Sequence, residues 1–544
     1  MRGDEAAGRQ QAPGDPPAQP GGSHRGPSGR RSREGPLPRG GVCALACLAL
    51  AACAAPGLDL APPAPDQPWQ PATGPAGDLR PGPSGAAPAT LFLLPANPAL
   101  GRLPSAPAAL QPGHAYGLPE LIDLAQQSHP ETRVAWANAR DAALAAGVAR
   151  SAYLPQVAAD VVGGVQSIHG TGSGLGLTAG ERSHVAGTVS AVSVQWLLFD
   201  FGERAAVLEA ARQTTVVADV AFTGAHQKII HDVCLAYYAR AATHARVASA
   251  AQSLSNARDV EAAAQARYAR GIGTVVEVAQ ARQATAQARL AQVHAEASAQ
   301  DADLALLDAM GLPPLTPLAV ADLPDRPFPP DTSGTADQIV ADALARRADV
   351  LGAEAARQAN AARIEAARAE FLPKVFVAAT GANSTGRIGL SAIPPVGGQL
   401  PTLDLAGTHW GSTLLLGLSV PLYDGGLRES ALARARNGAD KAQATLEQVQ
   451  DGAAREVVAA RNHLRISLSA HDAARALEDA ARITLDAALD AFRQGVGSIT
   501  DATVAQTQWL QARDARTDAY CDALAAAATL AFATGQLGGA AAVP

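Results

Sequence analysis

Bulky side chains are scarce in this chain: of 544 residues, 4% are aromatic and two are methionine. A set of ordinary globular domains would draw on more of them, so the length alone does not imply three or four such domains. Alanine dominates the middle and the end, and Ala-rich helices suit close packing in long bundles. A basic excess is missing too. The formal net charge is −7; residues through Gly40 carry seven Arg against four acids, which leaves −10 for the rest. That balance excludes a nucleic-acid surface, which needs basic patches. No apolar run approaches the ~20 residues of a membrane-spanning helix.

Catalytic patterns are absent as well. No Gly-x-Ser-x-Gly occurs, and Cys234 has no coherent set of partners. His226 and His231 are five apart, so they do not share a helical face as zinc ligands four apart would, and both read as solvated or interface residues. The run Gly170-x-Gly172-x-Gly174-x-Gly176 is spaced wrongly for a dinucleotide or phosphate loop and reads as the exposed loop of a hairpin. No catalytic residue, cofactor or metal site is expected.

The cysteines are informative by position. Cys43, Cys47 and Cys53 lie at the N-terminus, where Arg30, Arg31, Arg33 and Arg39 precede an apolar run from Val42 to Ala52. This is the layout of a secretory signal. Its end, Leu50-Ala51-Ala52-Cys53, resembles the bacterial lipobox, with Cys53 the lipidated residue; an ordinary signal cleaved nearby is the alternative. Residues 1–40 exceed what a signal needs and are consistent with an over-extended start of the reading frame. Cys234 and Cys521 read as buried small residues, too far apart along their helices for a disulfide.

What is present is a duplication. Tyr268-Ala269-Arg270-Gly271-Ile272-Gly273-Thr274 returns as Phe492-Arg493-Gln494-Gly495-Val496-Gly497-Ser498, 224 positions on. Each places two glycines inside an Ala-rich helical pattern, which stops the helix. Thr274 or Ser498 then caps the next helix, with Glu277 or Asp501 in its first turn. The chain therefore holds two helical hairpins. Tyr153-Leu154-Pro155 returns as Phe371-Leu372-Pro373 at an offset of 218, and Asp200-Phe201-Gly202 as Asp424-Gly425-Gly426 at 224. Three marks repeated in one order indicate a duplicated unit with six extra residues between the Leu-Pro and Asp-x-Gly marks of the second copy.

Read in order, residues 1–53 are an extension and signal, and 54–117 a Pro/Ala-rich tether. The first repeat spans 118–310, a proline-rich linker 311–334, the second repeat 335–535, and a tail 536–544. Each repeat opens with a helix, over 118–150 and 335–368. After each Leu-Pro the period changes to two. Val157, Val161 and Val165 alternate with polar or small residues, as do Val375 and Val377, and strands return over 183–198 and 409–422. Leu414, Leu416, Leu418, Val420 and Leu422 share one face. Gly/Ser-rich loops are expected over 170–182 and 381–407. The strands have the length of membrane β-barrel strands, yet four cannot close, and open edges are not tolerated in hydrocarbon. Other copies must complete the barrel. Helices of some 65 residues, 203–268 and 427–492, follow each pair of strands and would be ~100 Å long.

With these residues in view, the chain resembles the TolC family of outer-membrane export channels over roughly 118–535, and its lipobox and tether resemble the lipoprotein branch. The resemblance implies an α/β membrane protein that is a homotrimer. Twelve strands, four per chain, would form a β-barrel in outer-membrane lipid, and twelve helices a periplasmic tunnel, with no chemistry and no nucleic acid. It implies a periplasmic adaptor and an inner-membrane transporter as partners, engaging the tips at Tyr268, Gly271, Gly273, Thr274, Phe492, Gly495, Gly497 and Ser498. The family's closed iris often uses two acids after the second tip. Here the first corresponds to Asp501 and the second position is Val504, while Gly497 replaces a common basic residue. The implied gate is reduced to Asp501, assisted by Glu277, and the alternative for Asp501 is a charge offsetting the helix dipole. The expected function is small-molecule or multidrug efflux. A duct for type I protein secretion is the alternative, and a coiled-coil scaffold outside the membrane a distant one, which explains neither the strands nor the signal.

Overall fold

The computed structural model describes residues 113–328, 334–386 and 410–539, apart from 175–176 and 495, with short stretches between 64 and 111. Cys53 and Gly495 therefore lie outside the described residues. The chain divides at residue 103 into two units. In the first, β1 (Ala72–Thr73) pairs antiparallel with β2 (Leu79–Arg80).

The second unit carries the repeats. It begins with β3 (Ala115–Tyr116), α1 (Leu118–Ser128), α2 (Pro130–Ser151), β4 (Gln156–Gly174), β5 (Leu177–Phe199), α3 (Glu203–Ala269) and α4 (Val275–Ala309). After β6 (Ala319–Val320) the order returns as α5 (Ala336–Leu344), α6 (Ala348–Ala369), β7 (Lys374–Gly386), β8 (Trp410–Ser419), α7 (Leu427–Arg493) and α8 (Ile499–Ala533). Corresponding long helices match in length, 67 residues for α3 and α7 and 35 for α4 and α8. Among the described residues, no helix is long and apolar enough to cross a membrane.

Two expectations are corrected. The opening helix of each repeat is two helices. Pro130 cannot donate to the preceding turn and pushes His129 into extended backbone (ψ 131°), so α1 ends there and α2 begins. The second repeat breaks similarly between Leu344 and Ala348, with Arg347 in the same backbone conformation as His129. The expected loops over 170–182 and from 381 are also strand as far as they are described. The ladder of β4 and β5 continues through His169 opposite Arg182 to Gly174 opposite Leu177, and β7 runs to Gly386. Glycine and serine weaken a strand but do not end it when a partner completes the ladder.

The four strands form one antiparallel sheet in the order β4-β5-β7-β8. The two hairpins obey the sequence offsets residue by residue. Val157 faces Val194 and Ala159 faces Val192, while Val375 faces Leu418 and Val377 faces Leu416. Neighbours across a ladder lie on one face. Val157, Val161, Val165, Val192, Val377, Leu414, Leu416 and Leu418 therefore share a face. That face lies open: Leu414 and Leu416 are 76% and 72% exposed, and Val161 and Val165 are 76% and 78% exposed. The opposite face is mixed, with Ala158, Asp160, Ser193 and Gln195 beside Val162, Val189 and Leu415, and there the Phe376 ring covers Gly417, its cross-strand partner.

The main core lies where the two repeats meet. Ile229, Ile230, Val233, Cys234, Tyr237 and Tyr238 of α3 pack against Leu121 and Ile122 of α1, Leu306 of α4, and Tyr520, Cys521 and Leu524 of α8. The proline-rich stretch closes over this core instead of spanning free. Ala319 and Val320 pair in parallel with Ala115 and Tyr116, and Leu318, Leu323 and Phe328 pack onto the cluster. Cys234 and Cys521 are buried and free, and burial pushes both thiols up to about 12. His231 stacks on Phe532 of α8 and shares a hydrogen bond with Thr529, so it belongs to the α3–α8 contact.

Candidate functional site

Two places in each repeat carry the motifs that organise the sequence: the tip of the helical hairpin and the junction between strand and long helix. At the first tip, Gly271 adopts φ +76°, which an L side chain rarely takes. Gly271 N donates to Tyr268 O and Ile272 N to Arg267 O, so the last carbonyls of α3 are capped. Gly273 is required for a different reason. A Cβ there would stand 2.9 Å from Tyr268 N and 3.1 Å from Arg267 C, so the chain folds back against α3 only without one. Thr274 then opens α4 with a reciprocal cap: its Oγ1 accepts from Glu277 N, and its own N donates to Glu277 Oε2 at 3.1 Å.

The second tip repeats this chemistry. Val496 N and Gly497 N both donate to Ala491 O at 3.0 Å. Ser498 Oγ accepts from Asp501 N and donates to Asp501 Oδ2 at 2.7 Å. Glu277 and Asp501 are therefore occupied with capping their own helices in the single chain. Tyr268 is half exposed, and the Phe492 backbone lies in the last turn of α7. Sequence reasoning missed the residues that stand out most at the tips. Ile272 and Val496, each between two glycines, are 64% and 81% exposed. The shared β-branched character of these two central positions was the available signal.

At the junction, marks remote in sequence come together. Asp200 ends β5, accepting from Gly202 N (3.3 Å) and Arg204 N (2.9 Å), and so caps α3. Arg204 Nε donates to the same carboxylate at 2.8 Å. Its other nitrogens donate to the carbonyls of Ala152, Leu197 and Leu198, and its guanidinium lies 4.7 Å from the Tyr153 ring centroid. One arginine thus ties the end of α2, the end of β5 and the start of α3. The second repeat reproduces the clasp with Asp424, Arg428 and Phe371, less fully: Arg428 Nη1 is buried without a partner. The repeated Asp-x-x-x-Arg spacing was visible in the sequence and was not read.

Among the described residues, no group of His, Cys, Asp or Glu is arranged to hold a metal ion. A cavity of about 570 Å³ beside the main core is lined by Arg240, Arg513, Asp322 and Glu478 among others. Its charges are largely matched, for Arg516 pairs with Glu478 at 3.0 Å and with Asp325 at 2.6 Å.

Comparison with known proteins agrees with this architecture. The family model described as outer membrane efflux protein matches residues 121–312 and 339–536. Protein CyaE of Bordetella pertussis is 29% identical over 420 residues, covering 77% of this chain and 84% of that protein. Outer membrane efflux protein BepC of Brucella suis is 26% identical over 402 residues, covering 72% and 79%. Among solved structures, the CmeC outer membrane channel of Campylobacter jejuni superposes with a TM-score of 0.67 at 17% identity, covering 78% of this chain and 86% of that one. The TolC-like resemblance read from the duplicated marks is borne out: the chain belongs to the outer membrane efflux protein family, the export channels of the bacterial outer membrane.

Proposed function

We propose that three copies of this chain close a twelve-stranded barrel in the outer membrane above a periplasmic tunnel of helices. In this reading the assembly exports small molecules delivered by an inner-membrane transporter through a periplasmic adaptor docked at the tips. The observation that carries it is the sheet: β4 and β8 are its edges, and one face bears an open row of Val and Leu. An edge in hydrocarbon leaves backbone donors and acceptors unpaired at several kcal/mol each, so strands must come from elsewhere. The similarity to BepC, an outer membrane efflux protein, supports the efflux reading.

Tip docking at Ile272, Val496 and the flanking glycines, a gate at Asp501 assisted by Glu277, and lipidation at Cys53 belong to the same proposal. The test is purification in detergent, mass by light scattering, and conductance in planar bilayers. A trimer that conducts, together with dye accumulation in a strain lacking the gene, supports the proposal. A stable monomer that conducts overturns the architecture. Normal dye efflux with loss of a secreted protein overturns the substrate class in favour of protein secretion.

A further inference from the structure

The duplication supplies a template for an interface that a single chain does not contain. Within the chain, the seam between repeats is β5 beside β7, with Val194 opposite Ala379 and Gln195 opposite Ala378. At its base Lys374, the first residue of β7, forms an ion pair with Glu203, the first residue of α3 (Nζ–Oε2 2.5 Å). Both side chains are largely covered, at 33% and 23% exposure.

The offsets that relate the hairpins carry this seam onto the free edges. β8 stands in the second repeat where β5 stands in the first, and β4 stands where β7 does. The counterpart of the seam is therefore β8 of one copy beside β4 of the next, with Leu418 opposite Val161 and Ser419 opposite Asp160. Face parity was not used in this mapping and agrees with it. Leu418 and Val161 both lie in the open apolar row, and Ser419 and Asp160 both lie on the opposite face. A shift by one residue would put Leu418 beside Asp160 and break the row.

The same mapping turns Lys374 into Gln156 and Glu203 into Leu427, the first residues of β4 and α7. Both are exposed in the single chain, Leu427 at 71%. We infer that the partner of the β4 and β8 edges is a second copy in this register, and that the seam between copies is the neutral counterpart of the ion-paired seam within each copy. This rests on the barrel reading of the proposed function. The three seams within chains are then locked at the base of the barrel by opposite charges. The three seams between copies are not, and they are where the assembly parts first.

The test uses the full chain in detergent. In Leu418→Cys/Val161→Cys, the paired positions would be ~4.5–5.5 Å apart between Cα atoms, and oxidation should convert trimers into covalently linked species. Leu418→Cys/Gly163→Cys, displaced by two residues, should not link. Cys234 and Cys521 are buried and serve as an internal blank. Separately, Gln156→Lys/Leu427→Glu should raise the temperature at which trimers dissociate in SDS by a few degrees, and neither single variant should. Trimers that link only through the displaced pair overturn the register while leaving the channel reading intact. Trimers that link correctly but gain nothing from the new charges overturn the account of the neutral seam. A parent protein that is monomeric overturns both this inference and the barrel reading.

Discussion

Replacing Arg204 with alanine removes the guanidinium that joins three elements. The Arg204 and Asp200 side chains are 10% and 7% exposed, so the change leaves a buried carboxylate and three backbone carbonyls short of donors. Removing one partner of a buried pair typically costs about 3–5 kcal/mol. Asp200 keeps its hydrogen bonds from Gly202 N and Arg204 N, which places Arg204→Ala near ~3 kcal/mol on that scale. Arg428→Ala should cost less, ~1–2 kcal/mol, because Asp424 is 27% exposed and Arg428 Nη1 has no partner to lose. Trp196 is a local reporter, since its Nε1 donates to Tyr153 O at 2.9 Å beside the clasp. In a variant retaining only that tryptophan, denaturant titration by fluorescence should show the midpoint rising in the order Arg204→Ala, Arg428→Ala, parent. Asp200→Asn/Arg204→Met, which leaves no unpaired charge, should recover part of the loss. A midpoint for Arg204→Ala no lower than that of Arg428→Ala would refute the reasoning.

Four further outcomes are expected. If the proposed gate forms, Asp501→Asn should lower cation selectivity in planar bilayers and weaken block from the periplasmic side, since three carboxylates about one axis would repel at ~4 kcal/mol per pair at 4 Å and an effective dielectric near 20; unchanged selectivity would leave Asp501 a capping charge alone. Gly273→Val should disturb the tip fold, because its Cβ would meet the Tyr268 backbone, whereas Ile272→Asp should leave trimers intact and abolish export; normal export in Ile272→Asp would place docking elsewhere. Cys53→Ser should abolish palmitate labelling, and labelling that persists would refute lipidation. Burial holds His129 below the usual imidazole value, and its Nδ1 accepts from Glu131 N at the start of α2. A histidine lowered in the folded state contributes stability that is present above its unfolded value of about 6.5 and lost as pH falls through the folded one. Hydrogen-exchange protection over residues 125–135, taken relative to the intrinsic rate at each pH, should therefore fall on acidification from about pH 7.5 to 5.5, and His129→Asn, which keeps an N-cap acceptor, should remove that dependence.

Much of the architecture was legible because it is local or periodic. Gly271 and Gly273 end one helix, Thr274 and Glu277 start another, and each of those effects acts within a turn or two of backbone. The alternation of Val157, Val161 and Val165 marks a strand because side chains alternate with period two, and duplication gave each such sign a second instance. The same local reasoning misread residues 170–174 and 177–182. Their composition is that of a loop, and only pairing with a facing strand makes them a ladder. It also passed over the break at His129, although Pro130 announces one.

Tertiary structure decided what depends on residues far apart in sequence. Arg204 meets Tyr153 and Ala152 only because a pair of strands brings the chain back past its starting point. The proline-rich stretch reads as a spacer until β6 is seen against β3, with Phe328 placed beside Tyr520 and His471 on the core. The ion pair between Lys374 and Glu203 follows the same rule: propensity and period specify elements one at a time, while a contact across 171 positions exists only when the whole sheet has set its register.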